Sequence, residues 1–168
     1  SEEVNAVIDY LISRIIEVQY EENKEVSFLL QTAFSTTLES YLFFLLFYYP
    51  LYEANVKNRM NRCAEVIRLI LRDESVHGAF SGYIFRKYLA KEDVETQLYV
   101  KEKVEEFMEV LYARVEEMLR VIYKDEFVIA DIQRFANYNF NRTLNNLGYE
   151  AVFAGDDVDF HAALRKEV

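Results

Sequence analysis

Apolar residues recur three and four positions apart through almost all of this 168-residue chain, and no segment alternates convincingly as a β-strand would. Only 4 Gly and 1 Pro are present, so the chain lacks the turn residues that a β-rich fold needs. A chain of this length can bury a real core, and a hydrophobic content of 52% argues against disorder except at the ends. The sequence therefore predicts a single all-α domain.

Five helices follow from this spacing. They are predicted at about residues 3–20, from the polar stretch 21–24 to Tyr49, at 56–89, at 94–123 and at 126–147. Pro50 is expected to end the second helix, because it cannot continue the hydrogen-bond ladder. Gly148 is expected to follow the fifth helix with a positive φ. We assign residues 1–150 to the helical domain and 151–168 to an irregular C-terminal segment.

Charge and composition exclude several classes of function and location. A net charge of −10 argues against binding to nucleic acid or to an anionic membrane surface. The longest uncharged run, residues 40–52, is shorter than the roughly 20 residues that a membrane-spanning helix needs. The chain opens with Ser-Glu-Glu, acidic where a secretory leader would be basic. Cys63 is the only cysteine and is expected to lie in the core. A single cysteine suits a reducing compartment, so we predict a cytoplasmic protein.

Three residues have side chains typical of metal ligands. Glu74 and His77 lie three positions apart on the predicted third helix, and Glu39 lies in the apolar stretch 38–47 of the second. The helical period places all three on faces expected to be buried. A buried unpaired carboxylate costs several kcal/mol, so a shared metal ion is the simplest explanation. The alternative is that Glu74 and His77 pair with neighbouring Arg and Lys side chains.

The mixture of ligand types restricts which metals could bind. Carboxylate with imidazole suits iron or manganese, and the lack of thiolates argues against an iron–sulfur cluster or a structural zinc. Dinuclear carboxylate bundles use one Glu from each of two helices and one Glu-x-x-His from each of two others. This chain supplies one of each, which is half of such a site.

Several segments resemble the small subunit of class Ib ribonucleotide reductase. They are Leu-Glu-Ser at 38–40, Pro-Leu-Tyr at 50–52, Ile-Arg-Leu-Ile-Leu-Arg-Asp-Glu-Ser-Val-His-Gly at 67–78, Tyr-Asn at 138–139 and Asn-Leu-Gly-Tyr-Glu-Ala at 146–151. The resemblance covers nearly the whole chain. It implies a ferritin-like bundle with a dinuclear manganese or iron centre that oxidises a nearby Tyr to a stable radical. A separate large subunit then uses the radical to reduce ribonucleotides to deoxyribonucleotides.

The resemblance also implies roles for particular residues. Glu39, Glu74 and His77 would be metal ligands, and the two carboxylates would change binding mode during oxidation. Asp73 matches an acid that hydrogen-bonds a ligand His and lies on the radical-transfer route. The apolar shell around the radical Tyr would include Phe43, Phe47 and Ile70. The polar channel that receives oxidant from a flavoprotein activator would be lined by Ser40, Arg142 and Asn146.

The chain also departs from the family. The Asp, the second Glu-x-x-His and the radical Tyr of the family's first half have no counterpart here, and the chain has only 2 His. The family's long C-terminal tail, which engages the large subunit, is also missing. We therefore expect the C-terminal half of a small subunit. Its partner would be a polypeptide carrying the N-terminal half and the tyrosyl radical.

Two other interpretations remain open at this stage. Two copies of the chain could pair about a two-fold axis and complete a di-metal oxidase or ferroxidase. The chain could also be a non-catalytic helical partner that keeps its ligands as relics. The sequence does not distinguish manganese from iron.

Overall fold

The computed structural model describes residues 1–167, so Val168 of the predicted C-terminal segment lies outside the described residues. The helices are α1 (Glu2–Gln19), α2 (Lys24–Thr37), α3 (Phe43–Asn55), α4 (Asn61–Leu89), α5 (Val94–Ile122) and α6 (Glu126–Leu147). A π-helical turn, Leu38–Leu42, joins α2 to α3 without a break. Two 3₁₀ turns follow α6, at Gly155–Val158 and Ala162–Glu167. The predicted all-α architecture is confirmed.

Side-chain caps and a glycine set several helix ends. Asn23 begins α2 by accepting hydrogen bonds from the backbone N–H groups of residues 25 and 26. Asp93 and Asp125 cap α5 and α6 in the same way. Gly148 follows α6 with a φ of 84°, as predicted, because glycine adopts the left-handed conformation without a steric cost.

The prediction that Pro50 ends the second helix is wrong, because Pro50 lies inside α3. A proline in a helix interior costs about 3 kcal/mol. On either side of it, Tyr48 and Leu51 are fully buried in the core. Their packing holds both halves of α3 in place and outweighs the local cost of the proline.

Hydroxyl groups that compete with the helical hydrogen-bond ladder precede the π-helical turn. The hydroxyls of Thr32, Thr36 and Thr37 each donate a hydrogen bond to the backbone carbonyl four residues earlier. Such bonds compete with the regular helical ladder and bend helices. At the end of the turn, the N–H of Phe43 donates to the carbonyl of Leu38, five residues back. The turn shifts the helical phase directly at Glu39.

The core lies between α2, α3, α4, α5 and α6. Its largest fully buried side chains are Tyr41, Tyr48, Phe44, Phe85, Phe107, Phe135, Leu29, Leu51, Met108, Leu111, Ile132 and Leu147. Helix α2 packs against α4, and this brings the π-helical turn next to the middle of α4. Helix α1 packs mainly on α5, where the rings of Tyr10 and Phe107 stack with centroids 5.9 Å apart.

The buried face of α4 differs in part from the predicted one. Ala64, Ile67, Leu71 and Phe85 are buried, whereas Cys63 is exposed. The prediction that Cys63 fills the core is therefore wrong. Apolar residues occupy more than one face of α4, so the period alone does not identify the side that packs.

None of the helices within residues 1–167 combines the length and apolarity needed to cross a bilayer.

Candidate metal centre

Two adjacent helical segments bring the three predicted ligands together. Glu39 is the second residue of the π-helical turn, and Glu74 and His77 lie one turn apart in the middle of α4. A spacing of three residues puts two side chains on the same side of an α-helix. The packing of α2 and the π-helical turn against α4 supplies the third side chain.

The ligating atoms of Glu39, Glu74 and His77 all lie within 4.8 Å of one another. Nδ1 of His77 is 3.5 Å from Oε2 of Glu74. Ligand–metal distances of about 2.0–2.4 Å put two ligands of one ion at most about 4.8 Å apart. The three side chains are thus close enough to share a single ion.

The surroundings of Glu39 favour a cation. Its Oε1 accepts a hydrogen bond of 3.3 Å from Ser35, whereas its Oε2 is buried and has no hydrogen-bond partner among the described residues. Burial raises the pKa of Glu39 above its ordinary value; Glu74 acts in the same direction, and His77 and Ser35 oppose it. A buried carboxylate oxygen without a partner is costly, and a metal ion would remove that cost. Two carboxylates with one imidazole fit manganese or iron.

The centre is open on one side. The side chain of Glu74 is 17% exposed, but that of His77 is 59% exposed. The prediction that all three side chains lie on buried faces is therefore wrong for His77, which reaches the surface of the chain. Large apolar residues on α4 are exposed on the same and adjacent sides of the helix. We call this set the open face of α4; it consists of Val66, Leu69, Ile70, Val76, Phe80 and Tyr83. An exposed apolar patch of this kind is typical of a surface that another chain or domain covers.

The three predicted channel residues lie beside the centre. Ser40 is fully buried, and its hydroxyl accepts a hydrogen bond of 3.0 Å from the side-chain amide of Asn146. Arg142, one turn earlier on α6, donates to the hydroxyl of Ser75 at 3.1 Å and lies 4.1 Å from the ring centre of Phe44. Burial lowers the pKa of Arg142. Polar groups from three helical segments therefore meet next to Glu39 and Glu74.

The other predicted residues have less defined positions. Phe43 and Phe47 are half-buried on α3, and Ile70 is 37% exposed one turn before Glu74. Asp73 is exposed, and its carboxylate lies 3.8 Å from the guanidinium of Arg72. The roles assigned to these four residues stay predictions.

Sequence reasoning missed two glycines. Gly78 and Gly82 lie four residues apart on the buried side of α4. An ideal Cβ at Gly78 would fall 2.1 Å from the hydroxyl of Ser40, and one at Gly82 would fall 2.3 Å from the carbonyl oxygen of Asn146. Two of only 4 glycines within one long helix was the signal, because glycine is unfavourable in a helix interior unless packing requires it.

These features define a class of protein. An all-α bundle that directs one Glu and one Glu-x-x-His from neighbouring helices toward one point has half of the ligand set of a dinuclear carboxylate bundle.

Comparison with known proteins identifies the family. The family model described as ribonucleotide reductase, small chain, matches residues 5–159. The chain belongs to this family. It is 39% identical over 130 residues to the ribonucleoside-diphosphate reductase subunit beta nrdF2 of Mycobacterium tuberculosis, covering 77% of this chain and 40% of that protein. The corresponding subunit of Bacillus subtilis is 31% identical over 139 residues, covering 83% of this chain and 42% of that protein.

A solved structure agrees with this assignment. The dimanganese(II)-NrdF of Streptococcus sanguinis superposes with a TM-score of 0.82 at 28% identity, covering 97% of this chain and 56% of that chain. The predicted ferritin-like di-metal helical bundle is confirmed as the fold. The chain spans about 40% of the length of the curated relatives named here.

Proposed function

We propose that this chain is the C-terminal half of a class Ib ribonucleotide reductase small subunit. In this role it supplies one Glu and one Glu-x-x-His to a dinuclear manganese or iron centre. The convergence of Glu39, Glu74 and His77 within 4.8 Å carries the proposal. Family membership supports it. The dimanganese relative makes manganese the first metal to test.

Each of the three side chains would have a distinct part in holding the metal. His77 offers an imidazole nitrogen, and Glu74 offers a carboxylate that is mostly shielded from water. Glu39 keeps one oxygen on Ser35 and has the other free to bind. A carboxylate with one free oxygen can shift its binding mode without losing its anchor. When bound, the metal pair would provide the oxidising centre that converts a tyrosine on the complementary half to a radical.

Neighbouring residues would protect and serve this centre. Phe43, Phe47 and Ile70 form the apolar wall that keeps water from the radical once the complementary half covers them. Asp73 orients a ligand His of that half and takes part in radical transfer to the large catalytic subunit. The polar set Ser40, Arg142 and Asn146 lines the passage for oxidant from a flavoprotein activator. These assignments follow from the family resemblance and from positions beside the ligands.

The complementary half would lie against the open face of α4. This face is apolar, surrounds His77, and exposes Phe80 to 62% and Val66 to 58%. Burial of apolar surface contributes roughly 25 cal/mol per Å² before the entropic cost of association. The half would bring an Asp, a Glu-x-x-His and the radical Tyr. The assembled subunit would act in the cytoplasm on ribonucleotides bound to the large subunit, without nucleic-acid or membrane partners.

Native mass spectrometry with metal analysis tests the proposal. The protein is purified with whatever chain or domain it assembles with, after growth in manganese and separately in iron. We expect an assembly with two metal ions and a segment carrying an Asp, a second Glu-x-x-His and a Tyr. A dimer of identical chains with two metals would instead favour a homodimeric oxidase. An assembly that takes up no metal would favour a non-catalytic helical partner.

A further inference from the structure

Gly78 and Gly82 lie on α4 immediately behind the candidate metal centre. Gly78 directly follows His77, and both glycines are buried. Alanine normally stabilises a helix interior relative to glycine, because glycine loses more backbone freedom on folding. Two glycines one turn apart in the same helix therefore need a compensating contact. The structure provides one at each position.

At Gly78 the contact is with the π-helical turn. A Cβ at this position would lie 2.1 Å from Oγ of Ser40 and 3.4 Å from its Cβ. The hydroxyl cannot turn away without cost, because Ser40 is fully buried and Oγ accepts a hydrogen bond from Asn146 at 3.0 Å. The absence of a side chain at Gly78 lets α4 approach the residue next to Glu39.

At Gly82 the contact is with the backbone of α6. A Cβ there would lie 2.3 Å from the carbonyl oxygen of Asn146 and 2.7 Å from its carbonyl carbon. The guanidinium of Arg86, one turn further along α4, donates to the same carbonyl oxygen. No change of side-chain rotamer would relieve this clash, so α4 and α6 would have to separate. Asn146 thus joins both glycine contacts, through its backbone at Gly82 and its side chain at Ser40.

We propose that Gly78 and Gly82 are positioning residues of the metal centre. They seat α4 against the π-helical turn and α6, and this spacing sets the distance from Glu39 to Glu74 and His77. The inference rests on the proposed function, because it assumes that these three side chains bind metal. It adds the residues that hold the two ligand-bearing segments at the right separation.

A double-mutant cycle tests the contact at Gly78 in the assembled small subunit. Gly78→Ala, Ser40→Ala and the double variant are compared with the unmodified protein for manganese affinity and for the electron paramagnetic resonance signal of bound Mn²⁺. Gly78→Ala should lower affinity by roughly 10- to 100-fold, the range for groups that orient metal ligands. In the Ser40→Ala background the clashing hydroxyl is gone, so Gly78→Ala should have little further effect. Equal losses in both backgrounds, or none, would overturn the inference.

Gly82→Ala and Ala79→Gly complete the design. Gly82→Ala should lower manganese affinity in the unmodified protein and in the Ser40→Ala variant alike, because its clash is with the backbone. Ala79→Gly lies at an exposed position of the same helix and should leave metal affinity unchanged. If Gly78→Ala does not fold, recovery of folding in the double variant is the readout, and failure to recover counts against the inference. An unmodified protein that binds no manganese or iron would instead refute the proposed function.

Discussion

Ser35 holds one carboxylate oxygen of Glu39 at 3.3 Å from the preceding turn of α2, and leaves the other oxygen buried without a described partner. The side chain of Glu39 is therefore held in place by one hydrogen bond, while its second oxygen has no hydrogen-bond partner among the described residues. A buried polar group without a partner needs an explanation, and a cation bound to this oxygen would supply one.

Glu39→Gln should have opposite effects on metal binding and on the stability of the metal-free protein. The amide keeps the shape of the carboxylate but is a poor ligand, so metal content should fall sharply. The unfolding temperature of the metal-free form should stay the same or rise, since the uncompensated buried charge is gone. Glu65→Gln, an exposed change on α4, is the matched control and should alter neither. Unchanged metal content in Glu39→Gln would contradict the ligand assignment.

Glu74→Ala and Asp73→Asn should separate metal binding from radical transfer. Glu74→Ala removes a proposed ligand, so metal content and the tyrosyl radical should both be lost. Asp73 is exposed and its carboxylate faces Arg72, so Asp73→Asn should retain metal. Its turnover with the large subunit should fall by a larger factor than its radical content. Metal analysis, electron paramagnetic resonance and a reductase assay give the three readouts. Loss of metal in Asp73→Asn would show that the division of roles is wrong.

Phe80 and Phe85 offer a test of the open face of α4. Phe85 is fully buried, and Phe85→Ala should cost about 3–5 kcal/mol of unfolding free energy. Phe80 is 62% exposed, and Phe80→Ser should change stability by less than about 0.5 kcal/mol. Phe80→Ser should nevertheless weaken association with the complementary half. Denaturant titration and analytical ultracentrifugation separate the two effects, and unchanged association in Phe80→Ser would argue that the complement binds elsewhere.

Asp131 should anchor the C-terminal segment to the bundle. Its Oδ2 accepts from the hydroxyl of Tyr48 at 2.7 Å and its Oδ1 accepts from the backbone N–H of His161 at 2.6 Å. Asp131→Ala leaves both donors without this acceptor, and the loss at the buried Tyr48 hydroxyl alone should cost about 1–3 kcal/mol. Tyr48→Phe removes only the first donor. Hydrogen exchange at the His161 amide should therefore accelerate in Asp131→Ala and stay slow in Tyr48→Phe.

Glu53 should make stability depend on acidic pH. Its buried carboxylate lies 2.9 Å from Lys57 and 2.9 Å from Arg59. The hydrogen bond from Lys57, aided by the charge of Arg59, lowers the pKa of Glu53 below its ordinary value of 4.5. A carboxyl group whose pKa is lowered by folding stabilises the fold at pH values above its ordinary pKa. This stabilisation is lost as the pH falls through the pKa of the folded state. Urea titrations should show the difference between wild type and Glu53→Gln shrinking below about pH 4.5. A constant difference would argue against this ion pair.

Much of the fold follows from local chemistry that the sequence displays. The caps at Asn23, Asp93 and Asp125 and the glycine at 148 fix helix ends through contacts within a few residues. Pro50 does not end a helix. Whether the helix continues through it depends on how deeply distant parts of the chain bury Tyr48 and Leu51. The π-helical turn also lacked a recognised sequence signal, although three threonines whose hydroxyls compete with the helical ladder precede it.

The candidate site was predictable for a different reason. Glu39, Glu74 and His77 are polar residues within apolar surroundings, and each needs an explanation that spacing and residue type suggest. The phase of α4 was predictable only in part, since Ile70 and Phe80 look like core residues but lie on the open face. Apolar periodicity predicts that a helix face will be buried, but it does not predict whether the same chain or another one buries it.

Under the proposed function, metal binding and association with the complementary half would share one equilibrium, because His77 is exposed on the open face of α4. Any affinity that the ions gain from ligands on the second half is returned, by thermodynamic reciprocity, as tighter association between the halves. Metal supply would therefore control assembly as well as chemistry. In a cell short of manganese or iron, the open face of α4 would stay uncovered and available to chaperones and proteases.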